Sequence, residues 1–172
     1  MHEKFSLWIV PPPNFAKPLE EIIFRLSKEH NSSSFSAHMT LIGDISGDEK
    51  TIFERTKELA SSTDQFPLIL GEISFSTTFF QSVFVRVESS GALMDLNLKA
   101  KEIFGVDNNV FMPHISLLYG DHPMSTREQI ASELELPSDL SFNAEKLTII
   151  PTPTMIPKDW KSIAEIPLRR IK

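Results

Sequence analysis

Residues 37–43 read AHMTLIG, an apolar run interrupted by one histidine and one threonine. This composition is typical of a β-strand, in which successive side chains point to opposite faces of the sheet. His38 and Thr40 therefore share one face, whereas Met39 and Leu41 share the other. The pattern predicts a strand that buries its apolar face and presents a histidine and a hydroxyl group on the opposite one.

The same pattern occurs a second time in residues 113–120, which read PHISLLYG. Here His114 and Ser116 share one face, and Ile115 and Leu117 share the other. In both runs the histidine is followed two positions later by a hydroxyl residue and then by leucine. A fold that brings the two strands together would gather two imidazoles and two hydroxyl groups in one place.

The rest of the chain alternates between helical and strand patterns. Apolar residues recur at helical spacing in PLEEIIFRLSKEH, EKTIFERTKELASS and LMDLNLKAKEIFG, and Gly105 follows the third run as a C-terminal cap. A fourth helix is expected after Ser125. Strands are expected at FSLWIV, PLILGEISFS, QSVFVRVE and LTII and between Trp160 and Leu168.

The order of these elements predicts the architecture. A strand, a helix and a histidine-bearing strand occur in both parts of the chain, which suits two similar lobes around a shared cleft. We expect one bilobal α+β domain over residues 1–172, with two antiparallel sheets lining a central cleft and helices outside. A length of 172 residues is suitable for one such domain.

Composition excludes several classes of function. The chain has no cysteine, which excludes disulfides, thiol catalysis and cysteine metal sites. The net charge of −6 argues against a protein that follows many phosphates along a long nucleic acid. No apolar run reaches the roughly 18 residues of a membrane span, and three prolines end the first apolar run. We expect a cytoplasmic monomer that acts on a small molecule, with Golgi association or nuclear presence as alternative locations.

The paired histidines permit two interpretations. Two core histidines with hydroxyl neighbours would produce the same pattern, and chance supplies such triplets in a chain with five histidines. The functional interpretation is acid–base catalysis, since imidazole exchanges a proton near neutral pH. Hydrolysis of a cyclic phosphodiester needs a base for the water and an acid for the leaving oxygen. The hydroxyl groups of Thr40 and Ser116 could then donate to the phosphoryl oxygens.

With these two motifs the chain resembles the two-histidine phosphoesterases, which carry two H-x-[ST]-hydrophobic motifs. The likeness is strongest to the plant and fungal cyclic phosphodiesterases and rests on FSLWIVPP, FSAHMTLIG, STTFFQSVFVRV and FMPHISLLYG. One departure is Ala37, since relatives often have proline before the first histidine. The resemblance implies hydrolysis of 2′,3′-cyclic nucleotides and of ADP-ribose 1″,2″-cyclic phosphate, a connection with tRNA splicing, and no cofactor or metal.

The resemblance also implies roles for seven residues. His38 would be the catalytic acid and His114 the base that activates water. The residues implied to bind substrate are Thr40, Ser116, Tyr119, Phe80 and Trp8. For the three aromatic side chains, core packing is the alternative. Arg86 could assist an anionic substrate or be a solvated strand charge.

Two other functions stay open at the level of sequence. One is an RNA-end processing or 2′-5′ ligase-like member of the same superfamily, although the acidic balance argues against a long RNA groove. The other is a nucleotide-binding module without catalysis, which the presence of both histidines and both hydroxyl residues does not favour.

Overall fold

The structure is a computed structural model that describes residues 3–107, 110–138 and 140–170. Strands and helices alternate along these ranges, and a short 3₁₀ helix at Pro157–Asp159 precedes the last strand. The elements are β1 (Glu3–Ile9), α1 (Pro13–Glu29), β2 (Met39–Gly47), α2 (Glu49–Ser61), β3 (Phe66–Phe75), β4 (Val83–Val87), α3 (Gly91–Phe104), β5 (His114–Leu118), α4 (Met124–Glu133), β6 (Ser141–Ala144), β7 (Lys146–Pro151) and β8 (Ala164–Pro167).

The strands lie in the order β6-β3-β4-β5-β2-β1-β7-β8, and every neighbouring pair is antiparallel. The strands form one eight-stranded sheet, and the two predicted sheets correspond to its four-stranded halves β6-β3-β4-β5 and β2-β1-β7-β8. The halves join between β2 and β5, where Met39 pairs with Ile115. The prediction of an α+β fold with antiparallel strands lining a cleft is confirmed, and the two expected sheets are joined into one by the pairing of β2 with β5.

Helices α1 and α3 each pack on the half of the sheet opposite to the strands that they connect. Helix α1 lies between β1 and β2 in the chain but packs on β5 of the other half, where α4 covers β3 and β4. Helix α3 connects β4 to β5 but packs on β2, and α2 packs on β7 and β8. Each histidine strand is therefore covered by a helix that belongs to the other half of the chain.

Strand β2 is irregular where it passes the cleft. Its pairing with β1 shifts register twice, because Trp8 pairs with Thr40, Leu7 with Ile42 and Phe5 with Ile45. Asp44 has a positive φ of 57°, a conformation that aspartate tolerates better than most residues. Such bulges bend a strand and are common beside active sites.

Two elements differ from the sequence-based expectation. Helix α1 begins at Pro13, which supplies a preset φ at the first helical position, and it continues through Pro18. The apolar spacing of PLEEIIFRLSKEH predicts a start at Pro18. Helix α4 begins at Met124, one residue before Ser125, and no side chain caps its first turn.

The region after α4 also contains a strand that was not expected. Strand β6 is four residues long and pairs with Phe66–Ile69 of β3 at the edge of the sheet. Its burial alternates between Phe142 and Ala144 on one face and exposed residues on the other. Four residues with one large apolar side chain are too short a pattern to predict a strand. The last strand begins at Ala164, so Trp160 lies outside it.

Candidate active site

The two histidine motifs face each other across the junction of the sheet halves. Because Met39 pairs with Ile115 in an antiparallel ladder, the register places His38 opposite Ser116. By the same register, Thr40 lies opposite His114. Each histidine therefore has the hydroxyl residue of the other motif as its cross-strand neighbour, and the two histidines lie diagonally on the same face.

All four of these side chains line one cleft. The cleft has a volume of about 370 Å³. His38, Thr40, His114 and Ser116 line it together with Phe80 and Tyr119. The fold thus brings six of the seven sequence-predicted site residues to one cavity, and the seventh, Trp8, packs directly on one of them.

The two imidazole rings have the same orientation relative to the backbone. Nδ1 of His38 donates to the carbonyl of Ser36 at 2.7 Å, and Nδ1 of His114 donates to the carbonyl of Met112 at 2.8 Å. A carbonyl oxygen only accepts hydrogen bonds, so each Nδ1 carries the hydrogen. Nε2 of each ring is therefore the nitrogen that can accept or release a proton.

The environment of the cleft disfavours the charged form of both histidines. Burial lowers the pKa of His38 to about 4; the Ser36 carbonyl opposes this effect, and the charge of His114 adds to it. Burial also lowers the pKa of His114, opposed by the Met112 carbonyl and reinforced by the Arg86 guanidinium. Both rings are thus predominantly neutral in the ligand-free cleft at pH 7.

Trp8 does not line the cleft as Phe80 and Tyr119 do, but packs beneath His38. It is 6% exposed, and its indole stacks on the ring of His38 with centroids 3.5 Å apart and planes 9° apart. Phe35 contacts the same imidazole edge-on at 6.4 Å. His38 is therefore held by one backbone acceptor and two aromatic rings.

Ser116 connects the second motif to the loop that carries Phe80. Its hydroxyl donates to the carbonyl of Phe80 at 2.7 Å. Tyr119 lies edge-on to Phe80 at 5.0 Å and stacks on Phe35 at 3.7 Å. Burial raises the pKa of Tyr119, partly offset by a hydrogen bond with Ser116, so its hydroxyl remains protonated.

Buried Arg127 supports this loop from α4. It is 2% exposed and donates to the carbonyls of Ser76 and Thr78 at 2.7 and 2.9 Å. It also donates to the carbonyls of Gly120 and His122. These bonds connect the turn before Phe80 to the turn after Tyr119, and so fix one end of the cleft.

Several site residues were missed by sequence reasoning. Trp160 approaches Trp8, Phe80 and Tyr119 with ring centroids 6.0, 5.8 and 6.3 Å away. Phe35 begins the stretch FSAHMTLIG, where an aromatic residue in an apolar run gives no distinct signal, and Trp160, where the sequence predicts the start of a strand, lies before β8. Asn97 and Lys101 line the cleft from α3, where polar residues at helical spacing gave no distinct signal.

Glu20 holds the backbone just before His38. Its Oε1 accepts a hydrogen bond from the amide of Ala37 at 3.2 Å. The equivalent position before His114 is Pro113, which has no amide hydrogen. The two motifs therefore hold the same backbone position in different ways, one by a ring and one by a carboxylate on α1.

Two negative findings concern the described ranges. Within residues 3–107, 110–138 and 140–170, no three histidine, aspartate or glutamate side chains come together as a metal site. In the same ranges, no helix has the length and apolar character that crossing a membrane requires.

Two solved structures share this fold. The E. coli protein LigT, in complex with 3′-AMP, superposes with a TM-score of 0.67 at 14% identity, covering 98% of this chain and 99% of LigT. A protein of Thermus thermophilus superposes with a TM-score of 0.65 at 16% identity, covering 97% of this chain and 98% of that one. At these identities the similarity shows the fold.

Sequence comparison assigns the family. The chain is 25% identical to a 2′,3′-cyclic-nucleotide 3′-phosphodiesterase of Neurospora crassa, over 93% of this chain and 97% of that protein. The model of the cyclic phosphodiesterase-like protein family matches residues 1–167. The predictions of a two-histidine phosphoesterase and of an enzyme are thereby confirmed. With two H-x-[ST] motifs facing each other in one cleft, this chain belongs to the cyclic phosphodiesterase-like protein family.

Proposed function

We propose that the enzyme hydrolyses nucleoside 2′,3′-cyclic phosphates to nucleoside 2′-phosphates, with His38 and His114 as its acid–base pair. The observation that carries this proposal is the diagonal arrangement of the two histidines in one cleft, each with Nδ1 bound to a carbonyl. Two Nε2 atoms are then available to one phosphate, as in-line displacement requires. The name of the Neurospora crassa relative supports the same substrate class.

The reaction needs one proton acceptor and one proton donor. Water attacks phosphorus while its proton passes to Nε2 of His114. The bond between phosphorus and O3′ breaks, and O3′ takes a proton from Nε2 of His38. The product is a nucleoside 2′-phosphate with a free 3′-hydroxyl group, and exchange with solvent restores the two histidines. All steps use protons that the water and the two imidazoles supply.

The division of roles follows the resemblance to the two-histidine phosphoesterases, and the surroundings of the rings set what each role requires. Arg86 pairs with His114 across β4 and β5, and its positive charge favours the neutral imidazole that a base requires. The face of Trp8 against His38 favours a cationic ring. Burial opposes that cation in the empty cleft, so His38 gains its proton together with the anionic substrate, whose charge raises the pKa of a nearby imidazole.

The hydroxyl groups and the aromatic residues complete the site. Thr40 and Ser116 donate to the phosphoryl oxygens, for which the Ser116 hydroxyl turns away from the Phe80 carbonyl. Phe80 and Tyr119 hold the base, since base–aromatic stacking contributes about 1–3 kcal/mol. ADP-ribose 1″,2″-cyclic phosphate is a second proposed substrate, and a connection with tRNA splicing belongs to the same proposal. We assign both reactions to one bilobal domain over residues 1–172.

A product assay tests the proposal directly. The four nucleoside 2′,3′-cyclic phosphates and ADP-ribose 1″,2″-cyclic phosphate are incubated with the enzyme, and the position of the opened phosphate is assigned by ³¹P NMR. We expect nucleoside 2′-phosphates. Formation of 3′-phosphates would mean that the substrate binds in the reverse orientation, and the absence of hydrolysis would overturn the proposal. His30→Ala, in α1's C-terminal cap and outside the cleft lining, is the matched control for the histidine variants.

A further inference from the structure

Helix α3 carries one polar residue on its buried face. Five of its residues are buried, and four of them are apolar: Leu93, Leu96, Ala100 and Phe104. The fifth is Asn97, which is 4% exposed and lines the cleft. Asparagine is a weak helix former, and a buried amide costs free energy unless it is hydrogen-bonded. For stability alone an apolar residue would suit this position better, so we expect Asn97 to have a specific partner.

That partner lies on β2, directly after the first histidine motif. The side-chain amide of Asn97 donates to the carbonyl of Leu41 at 2.8 Å. A carbonyl oxygen only accepts hydrogen bonds, so Nδ2 is the amide atom that faces Leu41. The two residues are 56 positions apart in the chain, and Leu41 follows Thr40. The hydrogen bond therefore joins α3 to the strand that carries the Thr40 hydroxyl.

The sheet is irregular on both sides of Leu41. On the side of β1, the register shifts between Leu7 and Trp8, and Leu41 is the residue without a Cα partner there. On the side of β5, the register of the pairing with β2 would set Leu41 opposite Pro113, which has no amide hydrogen to donate. Asn97 thus supplies a donor where the strand ladder is interrupted.

We propose that Asn97 is a positioning residue, which holds the backbone of β2 so that the Thr40 hydroxyl points to the phosphoryl oxygens. The inference rests on the proposed function, because it takes the role of Thr40 from it. The side chain of Leu41 is 1% exposed and packs in the core, so the bond to its carbonyl fixes the backbone next to Thr40. Thr40 lies opposite His114 in the strand register, so a shift of β2 would move the hydroxyl relative to that histidine.

The place of α3 in the chain gives this bond a second consequence. The helix follows β4 and precedes β5, which begins at His114, yet it packs on β2. The bond from Asn97 to Leu41 therefore ties the element before the second motif to the strand of the first motif. The spacing of the two motifs across the cleft is held by this contact as well as by the short pairing of β2 with β5.

A double-mutant cycle with Thr40 tests the proposal. Leucine is close to asparagine in shape, and Asn97→Leu removes the hydrogen bond to Leu41. We expect kcat on a nucleoside 2′,3′-cyclic phosphate to fall about tenfold with a smaller change in KM, because the Thr40 hydroxyl acts on charge that develops in the transition state. Thr40→Val removes that hydroxyl and should lower kcat about 10²-fold. In the Thr40→Val background, Asn97→Leu should change kcat less than about twofold.

A purely structural role of Asn97 would give a different result. Its loss would lower the unfolding midpoint, and the kcat losses of Asn97→Leu and Thr40→Val would multiply, which would overturn the proposal. An unchanged kcat in Asn97→Leu would overturn it too. If Asn97→Leu does not fold, Asn97→Ala, which also lacks the donor and cannot clash, takes its place in the cycle.

Leu96→Ala is the matched control, because Leu96 is the buried neighbour of Asn97 on α3 and does not line the cleft. It weakens the packing of the helix without removing the hydrogen bond, and it should leave kcat nearly unchanged. An equal loss of kcat in Leu96→Ala would show that any loosening of α3 is sufficient, and would overturn a specific role for the bond.

Sulfate binding separates this inference from the proposed function. Sulfate is titrated calorimetrically into the wild type, the two single variants and the double variant, because an oxyanion in the cleft meets the Thr40 hydroxyl without turnover. We expect Asn97→Leu and Thr40→Val each to bind sulfate about threefold more weakly, and the double variant to be no weaker than Thr40→Val. An Asn97→Leu loss that persists without the hydroxyl, or no loss at all, would contradict the inference. Absence of hydrolysis by the wild type would overturn the proposed function, whereas the sulfate cycle would still decide whether Asn97 acts through Thr40.

Discussion

The indole of Trp8 lies flat against the imidazole of His38, with ring centroids 3.5 Å apart and an angle of 9° between the planes. Trp8 pairs with Thr40 across β1 and β2, so the first motif is aligned by its neighbouring strand. Together with the hydrogen bond from Nδ1 to Ser36, the stack fixes both the plane and the rotation of the ring. Trp8 is thus suited to position the proposed catalytic acid.

Replacing Trp8 by leucine should therefore lower kcat more than it raises KM. We expect a loss of about tenfold in kcat, since small displacements of a catalytic group are costly. Phe80→Ala should show the opposite pattern, a raised KM with a smaller change in kcat, because Phe80 lines the cleft. Steady-state kinetics on one cyclic nucleotide check both. A raised KM alone in Trp8→Leu would make Trp8 a nucleotide contact instead.

The two histidines should behave as one unit. His38→Ala and His114→Ala should each reduce kcat by about 10²-fold or more, and the double variant should be little worse. His30→Ala controls for the loss of an imidazole elsewhere. Single-turnover measurements give the rates. Simple multiplication of the two losses would indicate independent contributions and argue against a coupled acid–base pair.

The hydrogen bond from the amide of Ala37 to Glu20 should affect kcat only if residue 37 has an amide hydrogen. Glu20→Leu leaves that buried amide without its acceptor, and we expect kcat to fall about fivefold, while Glu20→Gln, which keeps an acceptor, retains activity. Ala37→Pro copies the arrangement at Pro113 and removes the amide hydrogen. In the Ala37→Pro background, Glu20→Leu should have little effect.

This double-mutant cycle is checked by kcat and by the unfolding midpoint. Glu21→Leu, at an exposed neighbouring position of α1, is the control. A loss from Glu20→Leu that is equally large with proline at position 37 would show that Glu20 acts through some other contact.

Anion binding should be coupled to proton uptake. Burial lowers the pKa of His38 to about 4 in the empty cleft, so near neutral pH we expect His38 to take up a proton when an anion binds. Calorimetric titration of sulfate in buffers of different ionisation enthalpy measures this uptake, and sulfate itself does not titrate near neutral pH. The uptake should be larger at pH 6 than at pH 8 and should be lost in His38→Gln. Loss in His114→Gln alone would exchange the two roles.

His38 should also make the ligand-free enzyme acid-sensitive. Its pKa is about 4 when folded and about 6.5 when unfolded, so the unfolded state binds more protons between these values. The free energy of unfolding therefore falls as the pH decreases through this window, by about 2 kcal/mol between pH 7 and pH 5. Denaturant titrations of the wild type should show this decrease. In His38→Gln the decrease between pH 7 and pH 5 should be smaller by about 2 kcal/mol. Equal decreases in both proteins would contradict the assignment.

Much of this structure could be predicted from local sequence patterns. Alternation in AHMTLIG and PHISLLYG placed each histidine on the face of its hydroxyl partner, which follows from the period of a strand alone. Helical spacing predicted the helices, and Gly105 ends α3 in the left-handed conformation with φ of 63°. The limits of this reasoning appeared where a pattern is short, as in β6, or where Pro13 starts a helix earlier than its apolar face suggests.

The sequence by itself determined the chemical groups and the face of each strand from which they project, because these depend on residue type and local backbone period. Only the tertiary structure decided which groups meet. The pairing of Met39 with Ile115 sets each histidine against the other motif's hydroxyl residue. Contacts between distant segments likewise place Trp8 on His38, Trp160 beside Phe80, and Lys101 in the cleft. Such contacts arise from packing of whole elements, and no local spacing encodes them.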